Sequence, residues 1–322
     1  MTNTPRILLH NDETASLVAR LHGSFPQVAY SVCNSYGGLR AAVGAFRPDI
    51  VYSVRFDGTA GFPRDALFGP DGPRWIANGG AGTDHFPKWN PARVTVTNAA
   101  GVAAGMMAEY IMGGFLHFTL DVPGLQADKA AKHWAARMVR PLAGKTLLIV
   151  GLGHTGRALA ERAKAFGMHV LGTRARPHPT PHVDEVHDAA ALTDVLPRAD
   201  FIAVATPLVP ATRGLIGAAE VATMKPGVIL ADVSRGGVVD QTALHAALRD
   251  GHVAGAALDV FEVEPLPETS PLWDLDNVIV SPHCSSVHEG WTAASFDLFL
   301  ENLGRWMAGK MLRNIVDPAR GY

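Results

Sequence analysis

Short apolar runs alternate with amphipathic segments along most of the chain. The runs typical of strands are Arg6–His10, Val28–Val32, Ile50–Val54, Trp75–Ala77, Lys145–Val150, His169–Thr173, Phe201–Ala205, Val228–Val233, Ala254–Val260 and Val278–Ser281. Helical periodicity marks Glu13–His22, Arg157–Phe166 and Thr292–Met307. Strands that alternate with helices predict parallel sheets with helices on both faces. The last helix is expected to return and pack on the N-terminal part of the chain.

One long segment, Val102–Leu120, is apolar enough to raise the question of a membrane span. It carries Glu109 near its middle and His117 further on, and a carboxylate in the centre of a bilayer is costly. The segment therefore predicts a helix buried in a core or at a subunit interface. The residues after it, with Pro123-Gly124 and Pro141, are expected to form a linker.

Composition supports a folded protein of ordinary domains. The chain has 322 residues, 48% of them hydrophobic and 18% charged, which suits two domains and excludes disorder. A net charge of −2 without a long basic run gives nucleic acid no electrostatic attraction. Cys33 and Cys284 lack the spacing of a zinc or redox site, so we expect a reducing, cytoplasmic location. The apolar run Ile7–Leu9 is too short for a secretory signal.

A glycine pattern lies directly between a predicted strand and a predicted helix. Gly151, Gly153 and Gly156 are spaced as G-x-G-x-x-G, with His154 and Thr155 inside the pattern. The first glycine permits a tight turn, the second lets a pyrophosphate approach the backbone, and the third lets helix and strand pack closely. The strand–glycine–helix context predicts a dinucleotide site rather than a bare turn.

The end of the next strand indicates which dinucleotide is bound. An NAD site usually has a carboxylate there for the ribose 2′-hydroxyl, but this chain has Thr173, Arg174 and Arg176. Guanidinium groups suit a phosphate. The pattern predicts a preference for NADP(H) with NAD(H) use still open, unless the two arginines are simply solvated.

Three polar residues follow predicted strands of the second half of the chain. They are Arg235, Glu264 and His283, and ligands of open α/β sheets lie at this carboxyl edge. A guanidinium can hold the carboxylate of a keto acid, a histidine can transfer a proton, and a glutamate can keep the imidazole charged. Spacing alone does not distinguish such a set from ordinary surface residues. The same holds for the glycine-dense loop after Trp75–Ala77, which suits a plain turn or a ligand site.

A colinear set of motifs over residues 75–290 resembles the D-isomer-specific 2-hydroxyacid dehydrogenases, particularly the glyoxylate/hydroxypyruvate reductases. The motifs are the Asn78–Asp84 loop, Ala108-Glu109, Gly151–Arg157, Pro207–Gly217, Met224–Asp240, Gly255–Pro267 and Asn277–His283. The resemblance implies two doubly wound parallel-sheet α/β domains with a cleft between them. A flavodoxin-like substrate domain would comprise residues 1–101 and 290–322, and a Rossmann cofactor domain residues 102–289. It also implies a homodimer formed through the middle domain.

The resemblance assigns roles to individual residues. It implies Arg235, Glu264 and His283 as catalytic residues, with Arg235 and His283 also contacting substrate and cofactor. Asp259 would contact the nicotinamide amide. Backbone donors of Gly79 and Gly80 would bind the substrate carboxylate. Further cofactor contacts are expected at Thr206, Pro207, Val233 and Ser285. Arg55, Trp134 and Trp291 are candidates for the substrate pocket, although such residues more often serve packing. No metal is expected.

Two positions depart from the family pattern. Arg174 replaces the acidic residue of NAD-using members, which favours NADP(H). Cys284-Ser285-Ser286 follow His283, where the family usually has small residues, so the wall of the nicotinamide site stays open. A thiol nucleophile at Cys284 is disfavoured because neighbouring residues of an extended strand point to opposite faces.

The expected reaction is NADPH-dependent reduction of a small 2-keto acid to a D-2-hydroxy acid. One alternative is a binding module that senses NAD(P)(H) and recruits a partner. The complete set of Arg235, Glu264 and His283 argues against that alternative. Another is a dehydrogenase of a phospho- or sulfo-substituted acid, which would differ only in its substrate pocket.

Overall fold

A computed structural model describes residues 4–54 and 61–321. The chain forms two compact units, with unit 1 comprising Met1–Val102 and Glu289–Tyr322, and unit 2 comprising Ala103–His288. The predicted boundaries lie within one residue of these. Unit 2 is therefore inserted into the chain of unit 1.

Unit 1 is a parallel sheet covered by helices. Its strands are β1 (Arg6–His10), β2 (Ala29–Cys33), β3 (Ile50–Ser53), β4 (Trp75–Asn78) and β5 (Thr95–Thr97). Its helices are α1 (Thr14–Ser24), α2 (Tyr36–Phe46), α3 (Arg64–Phe68) and α10 (Trp291–Met307). The strand order β2-β1-β3-β4-β5 is that of a flavodoxin-like sheet.

The last helix completes the core of unit 1, as predicted. Phe296, Phe299 and Leu303 on α10 pack with Tyr52 and Trp75 of the sheet. All five side chains are at most 2% exposed, so the apolar face of α10 replaces water over the strands.

Unit 2 is a larger parallel sheet. Its strands are β6 (Thr146–Val150), β7 (His169–Arg174), β8 (Glu185–Asp188), β9 (Phe201–Val204), β10 (Val228–Asp232), β11 (Val253–Leu258) and β12 (Val278–Val280). Its helices are α4 (Ala104–Thr119), α5 (Val122–Ala131), α6 (His154–Ala165), α7 (Leu192–Val195), α8 (Ala218–Thr223) and α9 (Gln241–Arg249). The strand order is β12-β11-β10-β9-β6-β7-β8. From β6 the chain adds β7 and β8 on one side of the sheet, and from β9 it adds β10, β11 and β12 on the other. The switch point therefore lies between β6 and β9, where open α/β sheets bind ligands. The predicted fold class is confirmed.

The predicted linker after the long helix is wrong in part, because α5 occupies its first half. The Asp121 side chain accepts a hydrogen bond from the Gly124 N–H at 3.2 Å, and Pro123 lies in the first turn, where a missing N–H costs nothing. No residue of α5 is buried. The helix therefore has no apolar stripe to reveal it in the sequence.

Helix α4 is a core helix of unit 2. Ala108, Ile111 and Phe115 are fully buried in it, and Glu109 pairs with Arg162 of α6 at 2.9 Å. Within the described ranges, none of the helices combines the length and the apolar character that a membrane crossing requires.

Candidate active site

The glycine-rich turn after β6 has three glycines with three different surroundings. Gly151 has a φ of +106°, and a Cβ there would lie 2.8 Å from the Ala205 carbonyl oxygen. A Cβ on Gly156 would lie 2.1 Å from the Gly151 carbonyl oxygen, whereas a Cβ on Gly153 would meet nothing within 4 Å. The first and third glycines are thus required by backbone contacts. The second leaves space in front of the turn.

This turn lies where a dinucleotide phosphate would be held. Helix α6 begins at His154, earlier than predicted, so that Thr155 and Gly156 belong to its first turn. A helix N-terminus presents unpaired N–H groups and a positive dipole end to an anion. Gly151 also contacts the chain after β9, since its Cβ would lie 3.0 Å from the Thr206 nitrogen. The turn therefore sits at the switch point, and its residues fit a bound pyrophosphate.

The end of β7 carries the residues predicted to select the cofactor. Thr173 is 2% exposed, Arg174 is half-buried and Arg176 is exposed. The Arg174 Nη1 lies 2.7 Å from the Nε2 of His178. Because a guanidinium only donates, His178 must accept at Nε2. This histidine was absent from the prediction, although its position between Pro177 and Pro179 marks a stiff loop.

Glu264 and His283 form the central pair of the site. The His283 Nδ1 lies 2.8 Å from the Glu264 Oε2, and the two side chains are 32% and 36% exposed. The other carboxylate oxygen of Glu264 accepts the Phe261 N–H at 3.0 Å. Three adjacent strands lead to the site residues: β10 to Arg235, β11 to Glu264 and β12 to His283. The carboxyl edge of the sheet therefore gathers them as predicted.

The charges of the site favour an ionised glutamate. Partial burial acts to raise the pKa of Glu264, but the hydrogen bonds from His283 and the Phe261 N–H, together with the charges of His283 and Arg235, hold it below its usual value. Glu264 is thus a carboxylate at neutral pH. Because a carboxylate only accepts, the His283 Nδ1 carries the proton of this hydrogen bond.

Arg235 lies in a turn built around a buried carboxyl group. Its Nη1 donates to the Ser234 carbonyl oxygen at 2.8 Å. Asp232, at the end of β10 and 4% exposed, accepts from the Ser234 N–H at 2.9 Å and from its hydroxyl at 2.5 Å. Burial, with a further contribution from the charge of Asp259, raises the pKa of Asp232 to about 7. Nothing in the sequence pattern singled out Asp232.

The backbone at His283 differs from the prediction. The strand ends at Val280, and His283 has a φ of +52°. His283 and Cys284 therefore do not lie on an extended strand, contrary to the prediction. A different reason disfavours a thiolate: burial and the nearby charge of Asp259 raise the pKa of the Cys284 thiol.

Asp259 anchors the segment that carries His283. It is 1% exposed and accepts hydrogen bonds from the Ser281 hydroxyl at 2.6 Å and the Cys284 N–H at 2.8 Å. The Ser285 N–H reaches both carboxylate oxygens, at 3.1 and 3.0 Å. The contact of Asp259 with the nicotinamide amide remains a prediction.

The predicted donor role of Gly79 in unit 1 is contradicted. Its N–H donates to the Ser53 carbonyl oxygen at 2.8 Å, and its carbonyl oxygen accepts from the Ser295 hydroxyl at 2.7 Å. A Cβ there would lie 2.4 Å from the Val54 Cγ2, so packing explains this glycine. Gly80 has more room, with the Asn78 Nδ2 at 3.7 Å from a built Cβ, and its donor role remains a prediction.

The remaining predicted residues are spread over both units. Arg55 lies outside the described residues. Trp134 of unit 2 is fully exposed, whereas Trp291 packs against the core of unit 1. Thr206 and Pro207 follow β9, and Val233 and Ser285 are buried near the carboxyl edge of the same sheet. Among residues 4–54 and 61–321, no group of three or more His, Cys, Asp or Glu side chains is arranged to hold a metal ion.

Known proteins share both the sequence pattern and the fold. Residues 112–285 match the family described as D-isomer specific 2-hydroxyacid dehydrogenase, NAD binding domain. A D-3-phosphoglycerate dehydrogenase of Methanocaldococcus jannaschii is 34% identical over 261 residues, which cover 79% of this chain and 49% of that protein. The chain thus spans about half the length of this relative.

Two solved structures are similar over nearly the whole chain. A D-isomer specific 2-hydroxyacid dehydrogenase from Xanthobacter autotrophicus Py2, in complex with NADPH and MES, is 31% identical with a TM-score of 0.81 and covers 99% of this chain and 100% of that one. An NADPH-dependent glyoxylate/hydroxypyruvate reductase from Sinorhizobium meliloti, in complex with NADP and sulfate, is 27% identical with a TM-score of 0.83 at the same coverage. The chain belongs to the D-isomer specific 2-hydroxyacid dehydrogenase family of NAD(P)-dependent oxidoreductases.

Proposed function

We propose that the protein is an NADPH-preferring reductase of small 2-keto acids of the glyoxylate/hydroxypyruvate type, with D-2-hydroxy acids as products. The observation that carries this proposal is the His283–Glu264 pair at 2.8 Å. It lies on the same sheet edge as Arg235, whose charge acts on Glu264. An acid, its charged partner and a carboxylate-binding cation are what reduction of a keto acid requires.

Each residue of the site has a distinct part in the proposed reaction. A bound reduced nicotinamide supplies the hydride for the carbonyl carbon. Arg235 pairs with the substrate carboxylate and fixes the orientation of the carbonyl. His283 donates the proton from Nε2 to the carbonyl oxygen, because its Nδ1 is held by Glu264. The Glu264 carboxylate keeps the imidazole charged before transfer and oriented throughout.

The proposed cofactor preference depends on the end of β7. No carboxylate follows Thr173; Arg174 stands there instead, half-buried and held by His178. An arginine fork can take two phosphate oxygens of an adenosine 2′-phosphate. The related structure from Sinorhizobium meliloti is described as that of an NADPH-dependent enzyme, which supports the same preference here, with NAD(H) as the weaker cofactor.

A cytoplasmic homodimer is part of the proposal. The segment after α5 carries Trp134 and Met138 with 101% and 98% of their surface exposed. Apolar side chains of this size, almost entirely exposed and only four positions apart, suit an interaction surface, and a second copy of the chain is the proposed partner. Light scattering should find a dimer, and a double Trp134→Ser, Met138→Ser variant should dissociate it. A monomeric wild type would contradict this part.

The deciding experiment is a panel of steady-state assays on the purified chain. Glyoxylate and hydroxypyruvate are offered with NADPH and with NADH, and D-3-phosphoglycerate is offered with NADP⁺ and NAD⁺. We expect the highest kcat/KM for a 2-keto acid with NADPH. Activity confined to D-3-phosphoglycerate, or a folded protein that binds NADPH without turnover, would reject the proposal.

A further inference from the structure

A chain of hydrogen bonds connects helix α4 to the segment that carries His283. The Tyr110 hydroxyl lies 2.7 Å from the Ser281 hydroxyl, which in turn lies 2.6 Å from the Asp259 Oδ1. All three residues belong to unit 2. Neither Tyr110 nor Ser281 has a part in the proposed reaction, and Tyr110 is 171 positions from Ser281 in the sequence.

The direction of these hydrogen bonds follows from the proton count. Asp259 accepts from the Ser281 hydroxyl and from the N–H groups of Cys284 and Ser285. Ser281 has a single hydroxyl proton, which the bond to Asp259 uses. Tyr110 must therefore donate to the Ser281 oxygen. Burial raises the pKa of Tyr110 to about 12, so the tyrosine keeps the proton that it donates.

The same carboxylate holds the chain on both sides of His283. Ser281 is bound to it through a side chain, and Cys284 and Ser285 are bound through their N–H groups. His283 lies between these contacts in the left-handed region, with a φ of +52°. A histidine in this conformation persists only when its surroundings impose it. The hydrogen bonds at Asp259 supply that constraint.

We propose that Tyr110 and Ser281 are positioning residues, which act through Asp259 to hold the His283 segment where the imidazole meets Glu264. The Tyr110 hydroxyl orients the Ser281 hydroxyl toward Asp259. Asp259 then fixes the backbone that carries the imidazole. Only the kinetic part of the test below rests on the proposed function.

The first measurement needs no cofactor or substrate. Cys284 is exposed and Cys33 is buried, so the rate of alkylation by iodoacetamide at Cys284, followed by peptide mass spectrometry, reports on the anchored segment. Tyr110→Phe and Ser281→Ala should speed this reaction several-fold, and Ser281→Thr, which keeps the hydroxyl, should restore the wild-type rate. Tyr30→Phe, at an exposed tyrosine of unit 1, is the matched control and should change nothing.

The second measurement separates positioning from folding. A lost neutral hydrogen bond corresponds to a fall of about threefold to tenfold, which we expect in kcat for Tyr110→Phe while the KM for NADPH stays within about twofold. Ser281→Ala should lower kcat further than Tyr110→Phe does, and Ser281→Thr should restore the wild-type kcat.

Two outcomes decide between the proposals. Equal alkylation rates in wild type, Tyr110→Phe and Ser281→Ala would overturn the positioning role, whatever the activities are. A wild type without reductase activity whose alkylation rates still follow the expected order would reject the proposed function and support the positioning role.

Discussion

Each unit has a histidine at the carboxyl edge of its sheet, and the two are in opposite situations. His10 ends β1 in unit 1, is fully buried and has its Nδ1 2.8 Å from the Ser53 hydroxyl. His283 follows β12 in unit 2, is 32% exposed and has its Nδ1 2.8 Å from the Glu264 carboxylate. Burial lowers the pKa of His10 to about 4, so that ring is neutral at physiological pH.

The two histidines occupy similar places in the fold, and their partners and solvent access distinguish them. A hydroxyl partner in a buried site stabilises a neutral ring, whereas a carboxylate beside solvent stabilises a charged one. The glycines of the two edges differ in the same way. Gly79 is enclosed by Val54 and Tyr52, while Gly153 faces space. Unit 1 uses these residue types for packing, whereas in unit 2 they face space at the proposed active site.

The largest effect should come from replacing His283, with a replacement of His10 as the comparison. His283→Ala removes the general acid, so kcat should fall by a factor on the order of 10²–10⁴ with a nearly unchanged KM for NADPH. His10→Asn keeps a polar partner for Ser53 and should leave kcat within about twofold while lowering Tm. If His10→Asn cost as much kcat as His283→Ala, the distinction between the edges would fail.

The edge of unit 2 should also distinguish the cofactors. Arg174→Asp replaces a phosphate-binding group by a repelling one, and hydrogen bonds to charged groups are worth about 1.5–3 kcal/mol. The ratio of kcat/KM for NADPH over NADH should therefore drop by roughly tenfold to a hundredfold. Arg249→Asp makes the same charge change at an exposed end of α9 and should leave the ratio alone. If Arg174→Asp left this ratio unchanged, Arg174 would not bind the 2′-phosphate of the cofactor.

The pH dependence tests the partner of each histidine. In reduction the acid must be protonated, so activity is lost along an alkaline limb. Glu264→Gln removes the carboxylate that pairs with His283 in the proposed mechanism, so that limb should move to lower pH. Ser53→Ala, which alters the partner of His10, should leave it in place. A limb that stays put in Glu264→Gln would make Glu264 structural.

The smallest effect concerns stability. Because burial raises the pKa of Asp232 to about 7, the folded state favours its protonated form, and that contribution to stability is lost as pH rises from about 4 towards 7. Asp232→Asn imitates the protonated form and keeps an acceptor for Ser234. The Tm of the variant minus that of the wild type should be larger at pH 8 than at pH 5. The increase should be about 2–4 °C for each kcal/mol of unfolding free energy that the wild type loses over this range. The same difference at both pH values would show that Asp232 is not the titrating group.

Local patterns sufficed for ten of the twelve strands that the structure describes and for the placement of Arg235, Glu264 and His283. Each depends on signals within a few residues: an apolar run, a glycine turn and a polar residue where a strand ends. Local patterns missed β5 and β8, each of which contains a single apolar residue. Helix α5 gave no such signal because none of its residues is buried. Helix α2 contains Gly37, Gly38 and Gly44, which dilute the helical pattern although Leu39 and Val43 are buried.

The missed site residues depend on contacts between distant parts of the chain. Tyr110 reaches Ser281 only after helix and sheet have packed, and the pKa of Asp232 is raised only once folding buries its carboxyl group, with the charge of Asp259 adding to the effect. The role of Gly79 was misjudged for the same reason. Its neighbour Val54 comes from another strand, and no local pattern distinguishes a glycine that admits a ligand from one that admits a side chain.

The insertion of unit 2 into unit 1 has a consequence for synthesis on the ribosome. Strands β1 to β5 emerge early, but Phe296, Phe299 and Leu303, which cover Tyr52 and Trp75, are translated after all of unit 2. At about 5–20 residues per second, residues 98–290 take roughly 10–40 s to make. Unit 2 can fold as a continuous segment during that interval, while the apolar face of unit 1 that α10 covers stays exposed. Of the two units, unit 1 is therefore begun before unit 2 but completes its core after it, and its uncovered apolar surface is exposed to aggregation in the nascent chain meanwhile.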